Sequence, residues 1–304
     1  MRITINEYQP GFESIVASCI HETYAETKAD ILRLRLKDPD IKMPSMMIRQ
    51  NDIIRIDNGA ITTGDMYIHR CRPDGDVYEI RALSIPASGT SKKSMSWQNI
   101  HLYQILKQKA DEMSLDLSTY GVENIFYRYV PQENESDMGF ILKICRREGL
   151  QVIIYDKRLI IYSEKHIESI EPSGTIELYG DNDYIYSDQS NSMYKTCIVN
   201  GGGYSATFTD ATVNTSNILS EIETYVESDS QALRYAKSFL RGENRSKKGG
   251  SFVMPIDKSY AAGSVCYLRR PGTSDKKIIL TRVRYDYVNK KMKVFFNDVF
   301  LEGY

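Results

Sequence analysis

The chain has few of the residues from which most active sites are built. Its 304 residues include four histidines, five cysteines and one tryptophan. The cysteines (Cys19, Cys71, Cys145, Cys197 and Cys266) are odd in number, lie far apart and form no CxxC pair. That spacing argues against a secreted disulfide framework. No stretch approaches the roughly 18 consecutive apolar residues that a membrane-spanning helix needs, so no membrane anchoring is expected. The start, Met1-Arg2-Ile3-Thr4-Ile5-Asn6, lacks the apolar core of a secretory signal, and folding in a reducing cytoplasm is the expectation. Charge of one sign is also missing. The 39 basic and 40 acidic residues are interspersed, for a net charge of -1. A duplex binder neutralises about 6–10 phosphates through a basic face, so no nucleic acid partner is expected.

The searches for chemistry return little. His69-Arg70-Cys71 sets two metal-ligand types on one face of an extended segment, but a zinc site needs three or four converging ligands. Gly201-Gly202-Gly203 follows a strand without the helix or the Lys-Ser/Thr of a phosphate loop, and reads as a flexible turn. No GxSxG elbow or HExxH helix occurs. Asp181 with Asp183 could be named as paired carboxylates, yet among 40 acidic residues such coincidences are common. The basic run from Arg241 to Lys248 follows a helix and reads as a solvated helix end, where cations meet the negative end of the dipole. The expectation is therefore no catalytic residue, no cofactor and no metal.

What the chain does have is tyrosine, 22 in all. Tyrosine suits half-buried strand surfaces and interfaces, where the ring is covered and the hydroxyl stays wet. Ile31-Leu32-Arg33-Leu34-Arg35-Leu36 alternates apolar with basic, as a half-buried strand does. Ile53-Ile54-Arg55-Ile56 runs into Asp57-Asn58-Gly59, a turn signal, and further short strands follow to Ile80. Ala87–Ser96 reads as a linker, and Trp97–Met113 as a helix with Ile100, Tyr103, Leu106, Ala110 and Met113 on one face. The segment after it is the best defined. Ser136 can cap a helix whose first turn carries Asp137. Phe140, Ile141, Ile144 and Cys145 form its apolar stripe, and Gly149 supplies a left-handed stop. Leu150–Tyr155 and Leu159–Tyr162 then pair as a hairpin. Residues 204–228, rich in Thr and Ser, read as an inserted loop. A helix is expected over Ser230–Arg241, and strands over 251–254, 265–268, 277–287 and 292–296.

At the second helix the residues stop being generic. Gln132-Glu133-Asn134-Glu135-Ser136-Asp137, then Phe140-Ile141-Leu142, then Arg146-Arg147-Glu148-Gly149, resembles a pattern in the late control protein D family of phage baseplate hub proteins. The hub part of type VI secretion spike proteins is similar. Tyr127-Arg128-Tyr129-Val130 and Ile160-Ile161-Tyr162 fit the flanks. Ser94-Met95-Ser96-Trp97, Ala232–Ala236 and Ala262-Gly263-Ser264-Val265 are weaker echoes. Asp38-Pro39-Asp40 and Asp52-Ile53-Ile54 suit the family's first barrel, with Asn51 standing where a glycine is usual. The residues that carry the motif are Gln132, Ser136, Asp137, Phe140, Glu148 and Gly149.

The resemblance implies an α+β, mainly β chain, with two small tail-tube-like β-barrels and an intervening α/β domain. The divisions would be 1–93, 94–170 and 171–304, the last with an insertion near 201–228. It implies a structural, non-enzymatic hub of a contractile injection particle, made in a bacterial cytoplasm and released in a phage tail or a phage-tail-like bacteriocin (a tailocin). The hub would be a homotrimer that joins a six-fold tail tube to a three-fold central spike. Its partners would be the tail tube protein, the central spike protein, the tape measure and other baseplate proteins. Two alternatives stand beside it. One is a peptidoglycan-degrading tail lysin, for which no segment is left over. The other is the hub of a type VI-like spike, although Leu301-Glu302-Gly303-Tyr304 carries no spike-like repeat, so the spike would be a separate protein.

Overall fold

The computed structural model describes residues 1–26, 28–180 and 182–299; Asp181 and Leu301–Tyr304, named above, lie outside them. Six strands come first: β1 (Arg2–Ile5), β2 (Val16–Tyr24), β3 (Ile31–Lys37), β4 (Ile53–Asp57), β5 (Met66–Asp74) and β6 (Val77–Leu83). In β3, Leu32, Leu34 and Leu36 are fully buried while Arg35 and Lys37 are exposed, the period of two that a one-sided strand requires. After β4, the Asn58 side chain accepts the N–H groups of Ala60 and Ile61 and Gly59 takes a φ of +88°. Asn51, in the position where the resembled family usually has glycine, has a φ of +72°. Asparagine tolerates that left-handed backbone better than other non-glycine residues, so the departure is conformationally mild. A bulge in β5 between Ile68 and Arg70 takes His69 out of the pairing register and leaves it exposed.

The middle of the chain comprises β7 (Lys92–His101), α1 (Leu102–Glu112), β8 (Asp116–Tyr120), β9 (Phe126–Ser136), α2 (Asp137–Arg147), β10 (Leu150–Tyr155), β11 (Arg158–Ser163) and α3 (Glu164–Ser169). Two expectations need correction here. The linker at Ala87–Ser96 is a 3-10 turn, Ala87–Thr90, followed by the first half of β7, and the first helix begins at Leu102 rather than Trp97. The cause is β9, which pairs with β7 in an antiparallel ribbon that sets Trp97 opposite Val130. The buried face of α1 is consequently Leu102, Ile105, Leu106, Lys109 and Ala110, while Tyr103 is exposed. β10 and β11 form a hairpin through Asp156 and Lys157, both at positive φ, and β8 joins β11 in parallel.

The remaining elements are β12 (Thr175–Glu177), β13 (Ile185–Asp188), β14 (Thr196–Gly201), β15 (Tyr204–Thr209), β16 (Ile218–Ile222), α4 (Asp229–Asn244), β17 (Lys248–Pro255), β18 (Val265–Arg269), β19 (Lys276–Asp286) and β20 (Lys291–Asp298). The expected loop at 204–228 is a correction as well. β15 and β16 flank β14 in a three-stranded sheet. One face of that sheet packs Cys197 and Val199 against Ala232, Ala236 and Phe239 of α4. The other face is rich in Thr and Ser, which hid the strands from a reading based on large apolar residues. The glycine turn is tight as well as left-handed: a Cβ on Gly202 would lie 2.2 Å from the Val226 carbonyl oxygen.

The outer strands meet in one twelve-stranded sheet, ordered β1-β4-β5-β6-β3-β2-β19-β20-β17-β13, with β18 on β19 and β12 on β18. β2 pairs with β19 from Ile20 to Tyr24. Among the described residues no ring of strands closes, so the two halves expected as barrels appear as one joined sheet. They also share one core, in which Ile3, Leu34 and Ile80 belong to the same apolar cluster as Phe252, Leu280 and Phe296. Joining β2 to β19 hydrogen-bonds two strand edges that would otherwise be open.

At that seam His21 stacks on Tyr285 and Tyr287, and its Nδ1 lies 3.0 Å from the Tyr287 hydroxyl. Burial, against the pull of Glu22, pushes the imidazolium down to about 3. The unfolded chain would protonate His21 near pH 6.5. Its contribution to stability is thus present above that pH and is lost as pH falls towards 3. In urea unfolding between pH 7 and pH 4, the stability gap between wild type and His21→Gln should narrow steadily as pH drops. A gap independent of pH would contradict the assignment.

Candidate functional site

Helix α2 is where the motif residues gather, and its two ends face different neighbours. At the N-terminus, Ser136 Oγ accepts the Gly139 N–H at 3.1 Å, satisfying one of the helix's free donors. Asp137 turns inward and is 1% exposed. Its Oδ1 accepts from Lys109 Nζ at 2.8 Å and from Gln132 Nε2 at 3.0 Å, and its Oδ2 lies 2.7 Å from Lys93 Nζ. Burial alone would raise this carboxyl, but the bonds from Lys109, Lys93 and Gln132 outweigh it and hold it below the usual carboxylate value. Lys109 is itself fully buried, 5.1 Å from the Trp97 ring centroid, and Trp97 stacks on Phe140 at 5.1 Å. Cation–π attraction and the ion pair thus fix the same ammonium.

At the C-terminus, Glu148 caps the last turn with a fully buried side chain. It accepts from the Tyr127 hydroxyl at 2.7 Å and from Arg234 Nε at 2.6 Å and Nη2 at 3.2 Å. Arg234 lies on α4, so this fork joins two helices that are distant in sequence. Burial, then the Glu148 charge, pushes the Tyr127 hydroxyl far above its ordinary value. Gly149 has a φ of +66°, and a Cβ there would sit 3.1 Å from Ser238 Oγ on α4. Glycine serves both the helix stop and the close approach.

More pairs bind α4 and the small sheet to the centre. Arg147 meets Glu223, and Arg146 meets Glu221 while its guanidinium covers the Phe239 ring at 4.7 Å. The Glu227 carboxylate accepts the backbone N–H groups of Arg128 and Tyr129. At the far end of α4, Arg241 pairs with Glu164 and Glu168, and Arg245 pairs with Glu164 and Glu26. The basic run after Leu240 is therefore corrected: α4 continues to Asn244, and Arg241 and Arg245 fall one turn apart towards α3 rather than towards solvent.

Of the six motif residues, the structure bonds Gln132 to Asp137 and places Phe140 against Trp97. Ser136 caps one end of α2, and Glu148 and Gly149 meet α4 at the other. The sequence reading missed Lys109, Arg234, Arg241, Glu164 and Glu168. Lys109 had a signal, a lone cation on the face that α1 otherwise fills with apolar residues. The acids and bases neutralise one another across element boundaries, so the arrangement acts as a mechanical clamp. His69 is exposed, Cys71 Sγ lies 3.6 Å from the Ile48 carbonyl oxygen, and no cluster of three or more metal-ligating side chains occurs among the described residues.

No family model and no curated protein matches the chain. Solved structures do. A 43 kDa tail protein of prophage MuSo2 from Shewanella oneidensis superposes with a TM-score of 0.71 at 12% identity, over 98% of this chain and 97% of that one. A tail protein from Neisseria meningitidis MC58 gives 0.74 at 8% identity, over 98% and 95%. An E. coli component of the type VI secretion system, described as similar to the T4 bacteriophage tail proteins gp27 and gp5, gives 0.60 at 13% identity, over 100% and 79%. The chain therefore has the fold of these tail and spike-hub-like proteins along nearly its whole length.

If the clamp holds the elements together, removing one partner of its buried pair should be costly. Lys109→Met is expected to lower stability by about 3–5 kcal/mol in urea unfolding, and the double variant Lys109→Met with Asp137→Leu to recover much of that loss. A single-variant loss below about 1 kcal/mol would show that the pair does not hold the core.

Proposed function

We propose that the chain is the structural hub of a contractile injection particle, acting as a trimer that adapts a six-fold tail tube to a three-fold central spike. The observation that carries this reading is the likeness to whole tail proteins, which extends over 98% of the chain. Two β-rich halves in one subunit would give three copies six similar units around an axis, the repeat that a six-fold tube can meet. In this reading the halves at 1–93 and 171–304 are barrel-like units and 94–170 separates them. The motif residues Gln132, Ser136, Asp137, Phe140, Glu148 and Gly149 would keep the central segment rigid beside the joined halves. Exposed side chains such as Tyr8, Tyr179, Ile185 and Ile222 offer the apolar and aromatic contact that interface cores favour.

The partners of this hub are further copies of itself, the tube protein, the spike protein, the tape measure and neighbouring baseplate proteins. It would be released from the cell within a phage tail or a phage-tail-like bacteriocin particle. The likeness to the E. coli secretion component favours a second reading, the hub of a type VI-like spike, which uses the same contacts in another machine.

Mass measurement of the purified chain, alone and with a co-expressed spike protein, tests the proposal. A trimer is expected, either alone or on the spike; a persistent monomer in both samples would refute it. A cell-wall zymogram supplies a second test. Lysis abolished by one carboxylate substitution would make the protein a tail lysin instead.

A further inference from the structure

Where the N-terminal strands, the β10–β11 hairpin and the loop before β18 meet, they line a cavity of about 410 Å³ that opens to solvent. Its walls are largely apolar, with Ile61, Ile153 and Ile160 from two of these parts and Ala262 from the third. The volume and character are those of a small-ligand site. Three tyrosines, Tyr24, Tyr155 and Tyr285, also line it. All three have their hydroxyls tied back to the protein: Tyr24 donates to the Glu22 carboxylate at 2.7 Å, Tyr155 to the Thr62 carbonyl at 3.2 Å and Tyr285 to the Tyr260 carbonyl at 3.1 Å.

Two buried polar side chains on the wall are left short of partners. Asp30 is 3% exposed and its carboxyl accepts the Tyr24 N–H at 3.0 Å, but no cation pairs with it among the described residues. Burial pushes that carboxyl up to about 8, as expected for a desolvated acid without a counter-charge. His21, 1% exposed, uses Nδ1 on the Tyr287 hydroxyl, and its Nε2 has no partner among the described residues. Asp137, Glu148 and Glu164, also buried, each face a cation, and the buried Asp38 and Asp210 each accept two hydrogen bonds from neighbouring N–H or O–H groups, whereas among the described residues the Asp30 carboxyl accepts one. Lys258 borders the cavity but is exposed and does not reach Asp30 as an ion pair.

We propose that this cavity binds a primary ammonium group carried on a short apolar stem, the ammonium against Asp30 and the tyrosine rings and the stem along Ile61, Ile153 and Ile160. Burial leaves the Asp30 carboxyl largely protonated at neutral pH, and a cation entering beside it favours the carboxylate form; aromatic faces add attraction, and the aliphatic wall selects a stem over a hydrated ion. Two sources share this chemistry, a free alkylamine and a lysine side chain of another protein. The inference does not depend on the hub reading.

The test is calorimetric titration of the full chain with n-butylammonium chloride, with n-butanol as the neutral isostere. Saturable one-to-one binding is expected for the amine, at least tenfold tighter than for the alcohol. Asp30→Asn should weaken it at least tenfold. Ala262→Phe, which fills the cavity and leaves Asp30 in place, should abolish it without changing the far-UV spectrum, and stands in if Asp30→Asn does not fold. Absence of saturable binding to wild type, equal binding of the alcohol, or full binding by either folded variant would overturn the proposal. Titration with N-acetyl-lysine methylamide separates the sources. Binding of that mimic supports the site as one for a protein lysine, and binding of the free amine alone supports it as one for a small metabolite.

Discussion

Backbone pairing between β2 and β19 ties residues near the start of the chain to residues near its end. Between them the chain leaves the sheet after β6 to form the central segment, returns at β12 and β13, and leaves again for the small sheet and α4 before β17. The central α/β segment is thus an excursion between two joined halves, and it needs its own anchoring. The clamp supplies that anchoring in a consistent manner: α4 returns from the small sheet and is held by Glu148, Glu164 and Glu168 through Arg234, Arg241 and Arg245. Such pairs are geometrically demanding, because burying a charge is tolerable only when its partner is correctly placed. They favour one relative placement of the helices over many loosely apolar ones.

Local structure was legible in the sequence wherever one strand or helix carried its own pattern. The leucines of β3, the Ser136 cap, the apolar stripe of α2 and the Gly149 stop follow from periodicity and capping alone. Elements that owe their form to a distant partner were not legible. β7 looked like a linker because its partner, β9, lies some thirty residues further on, and residues that pair in this way need no strong pattern of their own. β15 and β16 carry few large apolar residues amid the Thr and Ser of the surrounding segment, and those on the outer face of their sheet, Ile218 and Ile222, are exposed. The joining of the two halves depends on strands about 260 positions apart, as Thr23 and Val283 are, and no local signal reports that.

The motif segment behaved differently. Its residues were singled out by resemblance, and the structure shows the physical work they do within the chain. Asp137 meets a lysine from α1, Glu148 meets an arginine from α4, and Phe140 covers the only tryptophan. Of their partners, Arg234 looks like an ordinary surface cation in the sequence, while Lys109 is marked only by its place on the apolar face of α1. Asn51 shows the reverse case, a departure from the resembled pattern that its left-handed backbone accommodates.

The proposed hub would be held rigid internally and would act through its contacts. Electron cryo-microscopy of the intact particle tests that claim most directly. Three copies of the chain are expected in a ring between the last tube layer and the base of the spike. Finding the chain at another position, in another copy number, or absent from a particle whose tube–spike junction is complete would contradict it.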